Sequence, residues 1–137
     1  MMDRLELTLL NQQPEVSRAQ DELERFAAEH AFPERKLRDV QLAVEEHLTN
    51  VLHYAYADAA EHRILVHLEF NAPELRLEVV DDGRPFNPLL HPTPDLTLPI
   101  DQKPIGGLGI HMIRKSLDQV EYRREADKNV LILVKRA

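Results

Sequence analysis

The chain has no cysteine. Disulfides, thiolate nucleophiles and thiolate zinc sites are therefore excluded, and the composition fits a reducing cytoplasm. No apolar run approaches the roughly 18 residues that a bilayer crossing needs. The first residues alternate and carry charge, so neither a membrane span nor a signal peptide is expected. Positive charge is in short supply: 17 Lys and Arg stand against 24 Asp and Glu, a formal net charge of -7. A general nucleic-acid binder needs clustered cations to neutralise phosphates, so direct nucleic-acid binding is not expected. The short basic pair Arg123 and Arg124 reads as a solvated strand face. Glycine is scarce too. Of four in the chain, three are bunched at Gly106, Gly107 and Gly109, and the fourth is Gly83. The seven histidines form no H-E-x-x-H ligand pattern, and no Ser, His and Asp grouping points to a nucleophile. A Walker phosphate loop and the protein-kinase motif set are also missing.

What remains is a chain of 137 residues, within the range of one domain, with 43% hydrophobic residues. Residues 4–10 alternate Leu5, Leu7 and Leu9 and predict a strand. Val16, Ala19, Leu23, Phe26 and Ala27 recur at helical spacing and predict a first helix over 15–30. Phe32-Pro33 ends it, and a second helix is expected over 34–56, with Val40, Val44, Leu48 and Val51 as its apolar stripe. Residues 63–71 and 74–80 alternate around a short Ala72-Pro73 link and predict an antiparallel hairpin. The stretch 89–103 holds Pro92, Pro94 and Pro99 and shows no period, as a functional loop would. A short helix is expected over 110–117, then strands over 120–125 and 130–135.

Three local patterns could carry chemistry. Glu46 and Asn50 are four residues apart on the second helix, so both side chains leave one face, one turn apart. His53 falls on the same flank by spacing, with capping or packing as its first expected role. A carboxylate and an amide at the border of a buried face can take a proton and ligate a hard cation, although the same pair is common on solvated helices. Asp81 stands where a strand opens into a loop, and an acceptor-only carboxylate there could take the exocyclic amine of adenine. Asp-Gly is also a common turn dipeptide. Finally, Gly106-Gly107-Leu108-Gly109-Ile110 opens a helix, where free N–H groups and the helix dipole favour an anion; a plain turn is the simpler reading.

The order of these patterns is more specific than any one of them. E-x-x-x-N on a helix, D-x-G-x-P-F after a strand, then G-G-L-G-I resembles the Bergerat-fold (GHKL) ATPases. Glu46-His47-Leu48-Thr49-Asn50 with Tyr54-Ala55-Tyr56, and Asp81-Asp82-Gly83-Arg84-Pro85-Phe86-Asn87-Pro88, are similar to the anti-sigma-factor serine-protein kinases of that superfamily. The resemblance implies an α/β sandwich over 1–137, with a mixed, mostly antiparallel sheet, helices on one face and a lid over about 87–105. It implies ATP and Mg²⁺, with Asn50 as metal ligand and Glu46 as catalytic base. It places Asp81 on the adenine amine with Gly83 along the ring, counts Pro85, Phe86 and Lys103 among the nucleotide-binding residues, and sets Gly106, Gly107, Leu108, Gly109 and Ile110 toward the phosphates. The implied function is a serine/threonine-protein kinase that acts as an anti-sigma factor. Its implied partners are a STAS-domain antagonist, which it phosphorylates, a sigma factor, and a second copy of itself. The alternative is an ATP-gated binding module without catalysis. That alternative is favoured by Pro104-Ile105, which stand where some relatives carry an arginine. Asn129 occupies a place where many relatives have Gly-Thr.

Overall fold

The computed structural model describes residues 3–90 and 114–137. The expected loop beyond residue 90, with Lys103 and the whole Gly106 to Ile110 block, lies in residues 91–113, outside the described residues; Pro88–Leu90, at its start, form a short 3-10 turn. Strand β1 (Arg4–Leu10) leads into helix α1 (Gln13–Glu29) and helix α2 (Glu34–Asn50). A π-helical turn, Val51–Ala55, prolongs α2. Strands β2 (Arg63–Asn71) and β3 (Glu74–Asp81) come next, and β4 (Gln119–Glu125) and β5 (Lys128–Arg136) close the described chain. The five strands form one sheet in the order β1-β2-β3-β5-β4. All four pairings are antiparallel. The fold class is therefore the expected α/β sandwich, and the parallel component of a mixed sheet is not among the described pairings.

Local chemistry explains the helix ends. Pro14 sits in the first turn of α1, where its missing N–H costs nothing, and Glu15 accepts the Leu10 N–H at 3.0 Å. Ala31, at φ 54°, closes the far end, with the Phe32 N–H on the Ala27 carbonyl at 2.9 Å. Pro33 then opens α2, with Glu34 in its first turn, where the helix dipole favours an acid. The second helix does not run regularly to Tyr56, as its spacing predicts. It changes to the π turn after Asn50, which places an extra residue in the turn and rotates the residues beyond it.

Alternation decides the layers. Leu7 and Leu9, Ile64, Val66 and Leu68, and Leu75, Leu77 and Val79 point to the helices and share one core with Val16, Leu23, Phe26, Val40, Val44 and Leu48. Each such side chain, buried, contributes about 1.5–3 kcal/mol. Strand β5 departs from alternation: Val130 to Lys135 are all buried, with Leu131 and Leu133 in the main core and Val130, Ile132 and Val134 on the other face. The segment around Leu42 is not wholly buried either. Leu42 itself is 56% exposed, because it stands off the stripe formed by Val40, Val44 and Leu48.

Register builds the polar end of this core. Asp81 pairs with Asn129, and Asn129 pairs with Arg124. Parity puts all three on the helix side, at the end of the rows that begin with Leu77 and Val79, Leu131 and Leu133, and Val120 and Tyr122.

Candidate nucleotide site

Asn50, the last residue of α2, is 1% exposed. Neither its Oδ1 nor its Nδ2 has a hydrogen-bond partner among the described residues. A buried amide with its capacity unspent costs about 1–3 kcal/mol per group, and such cases point to a missing partner. Glu46 lies one turn earlier and is half-buried, as its place beside the core stripe predicts. His53 does not join them. It is exposed, and its Nδ1 meets the Thr49 carbonyl at 2.8 Å, the local capping role expected for it. The π turn explains the separation: the extra residue rotates His53 off the flank that Glu46 and Asn50 share.

His47 is the residue that spacing did not single out. It is 2% exposed, and both ring nitrogens lack a partner among the described residues. Burial alone lowers its pKa from 6.5 to about 4, so the ring is neutral. Its signal was present, since position 47 extends the stripe through Val40 and Val44.

The D-x-G turn docks on the end of the π turn. The Arg84 N–H donates to the Ala55 carbonyl at 2.8 Å, and Arg84 Nε donates to the Tyr54 carbonyl at 2.5 Å. These contacts satisfy carbonyls that a helix end leaves open. Phe86 stacks on Tyr54, with ring centroids 5.9 Å apart. Gly83 is pressed against the same turn: a Cβ there would stand 2.5 Å from both the Cβ and the carbonyl oxygen of Ala55. The glycine thus permits a close approach of backbone to backbone. Pro85 is exposed beside it.

Asp81 is 2% exposed. Burial pushes its pKa up, and hydrogen bonds from Asn129 Nδ2, at 2.9 Å, and from the Gly83 N–H, at 3.0 Å, work against that push. Asp82 adds to the rise and Arg124 opposes it. Arg124 is not simply a solvated strand residue, since its Nη1 donates to the Gly83 carbonyl at 2.8 Å. Nearby, burial raises the pKa of the Tyr56 phenol, and the charges of Asp81 and Asp82 raise it further. The Tyr56 ring stacks on His62, with centroids 4.0 Å apart. His62 reaches Asp58 at 2.7 Å and Asp82 at 3.5 Å. Sequence reading marked Asn129 only as a departure from the Gly-Thr of many relatives, and it missed Arg124 and His62 as parts of this network.

The residues present fit a magnesium nucleotide. Among the described residues no group of three or more His, Cys, Asp or Glu could hold a metal ion by itself. Mg²⁺ suits such a place, because it is commonly held by one or two protein oxygens plus the phosphates of its nucleotide. The unspent Asn50 amide offers one such oxygen. Among the described residues, no helix is long and apolar enough to cross a membrane.

Comparison with known proteins agrees with this fold. The family model for the histidine kinase-like ATPase domain matches residues 10–135. The serine/threonine-protein kinase BtrW of Bordetella bronchiseptica is 25% identical over 111 residues, which are 81% of this chain and 78% of BtrW. A solved structure of the RsbU and RsbW domains of a Mycobacterium tuberculosis protein superposes with a TM-score of 0.72 at 17% identity. That match covers 98% of this chain but 32% of the other, so this chain spans about a third of its length, and the likeness is one of fold.

Proposed function

The chain belongs to the histidine kinase-like ATPase domain family, and from that premise we propose that it is an ATP- and Mg²⁺-dependent serine/threonine-protein kinase acting as an anti-sigma factor. In this reading it phosphorylates a small STAS-domain antagonist and holds a sigma factor. The observation that carries the proposal is the buried Asn50 amide with no partner among the described residues, one turn from Glu46 and on the helix whose end receives the Asp81 turn. Similarity to BtrW, itself a serine/threonine-protein kinase, supports the choice of reaction.

Each residue then has a task. Asp81 accepts the exocyclic amine of adenine. Asn50 holds Mg²⁺, which neutralises phosphate charge when bound. Glu46 takes the proton of the acceptor hydroxyl as its oxygen bonds to the γ-phosphorus and the bridging bond to ADP breaks. Phosphoryl transfer needs mainly positioning and charge neutralisation, and both can be built on one rigid helix. The same reading keeps Lys103 and Gly106 to Ile110 as candidate phosphate-binding residues and about 87–105 as the candidate lid, most of which lies outside the described residues.

The test is transfer of labelled γ-phosphate to a STAS-domain protein. The parent is expected to transfer it, and Glu46→Gln to lose on the order of 10²–10⁴-fold in rate while still binding ATP. Equal rates for parent and variant would remove Glu46 from the chemistry. ATP-dependent partner binding without any transfer would leave a nucleotide-gated binding module instead.

A further inference from the structure

Asn129 is 3% exposed, and its carboxamide has four partners. Nδ2 donates to Asp81 Oδ1 at 2.9 Å and to the Arg84 carbonyl at 2.8 Å. Oδ1 accepts the Phe86 N–H at 3.2 Å and the Tyr122 hydroxyl. That is the full donor capacity of the amide and both lone pairs of its oxygen. The Arg84 carbonyl can only accept and the Phe86 N–H can only donate, so the amide cannot be reversed. A flip would set oxygen against oxygen at Arg84 and Asp81, and N–H against N–H at Phe86.

The consequence falls on Asp81. Its Oδ1 receives two donors, from Asn129 and from the Gly83 N–H. Both favour the ionised carboxylate in a place where burial disfavours it. With Oδ1 committed, the second oxygen is the one left for a ligand, and an ionised carboxylate can only accept.

We propose that Asn129 is a positioning residue that sets base specificity: it holds Asp81 as an ionised acceptor and so selects a purine with an amine, rather than a carbonyl, at its exocyclic position. The inference rests on the nucleotide reading above. It makes Asn129 act through Asp81 without touching the base. Hypoxanthine carries an acceptor where adenine carries a donor and is otherwise nearly the same size. The pair ADP and IDP therefore isolates this interaction from the fit of sugar and phosphates.

Calorimetric titration with ADP and with IDP, across a range of pH, tests the idea. The parent is expected to prefer ADP by about tenfold or more. Asn129→Asp puts a second carboxylate against Asp81, where like charges share a proton and can present a donor. Its preference for ADP should collapse and become pH-dependent. Asn129→Ala should lower the ratio as well, and Asn129→Ser, whose hydroxyl can still donate, should restore part of it. A purely structural role would weaken ADP and IDP alike and leave the ratio fixed. Folded variants that bind both nucleotides with the parental ratio would overturn the inference, and the Ala and Ser variants decide the matter if the Asp variant does not fold. A parent that binds neither nucleotide would overturn the nucleotide reading itself, and this inference with it.

Discussion

The two ends of the candidate site are opposites in their hydrogen bonding. At the Asp81 end, Asn129 has four partners, Asp81 Oδ1 has two and the Gly83 carbonyl has Arg124. At the Asn50 end, the amide of Asn50 and the ring nitrogens of His47 are buried and have no partner among the described residues. A saturated network fixes a geometry in advance, while an unsaturated buried group awaits a partner. In the proposed reading the difference divides the work: the saturated end would read a base, and the unsaturated end would take a cation and its phosphates.

The sharpest way to break this contrast is at Asn50. Asn50→Ala is expected to reduce phosphotransfer on the order of a thousandfold, the scale for losing a group that stabilises developing charge. It should do so without lowering the thermal midpoint of the nucleotide-free protein, because the amide makes no hydrogen bond among the described residues. A large fall in that midpoint would show that Asn50 is a structural residue.

His47 tests the same end through stability. Its native pKa of about 4 lies below the ordinary 6.5, so the unfolded chain takes up a proton first as pH falls. The His47 contribution to stability should therefore drop between pH 6.5 and about 4, by about 3 kcal/mol in all, and be constant above that window. Denaturant melts across this range should show the slope, and His47→Leu should flatten it. A variant with an unchanged acid limb would place the slope elsewhere.

Gly83 probes the saturated end. Gly83→Ala forces a methyl group to within 2.5 Å of Ala55, and overpacking of this kind costs about 1–3 kcal/mol. Urea melts should show that loss together with weaker nucleotide binding, since the turn carrying Asp81 must shift. The smallest effect is expected at His62. Its hydrogen bond to Asp58, with the charges of Asp58 and Asp82, raises its pKa. Its contribution is thus complete below the ordinary 6.5 and is lost as pH rises through the raised native value. Asp58 and Asp82 are exposed and His62 is only half-buried, so thermal midpoints should fall only slightly on the alkaline side, and His62→Gln should remove that dependence.

The same contrast marks what could be read from the chain. Alternation located β1 and β2 to the residue, and the stripe through Val40, Val44 and Leu48 gave the face of α2. Both are local periods with a strong apolar signal. Glu46 and Asn50 were legible because four residues make one turn. The π turn was not, since Val51–Ala55 carries no residue that demands an extra residue per turn, and His53 was therefore placed on the wrong flank. The partners of Asn129, and the roles of Arg124 and His62, were not legible for a different reason. Asn129 meets Asp81 across 48 positions and Arg124 meets Gly83 across 41, contacts that exist only once β3, β5 and β4 are in register. Lys135 is similar: it lies in an apolar strand, yet it is buried and reaches Asp39 of α2 at 3.2 Å.

The central claim is that the open amide of Asn50 waits for the cation of a magnesium nucleotide. Titrating ADP into the parent and into Asn50→Ala, each with and without Mg²⁺, addresses it directly. Mg²⁺ should strengthen binding to the parent by about tenfold or more and change binding to the variant little. An equal strengthening in both proteins would contradict the account.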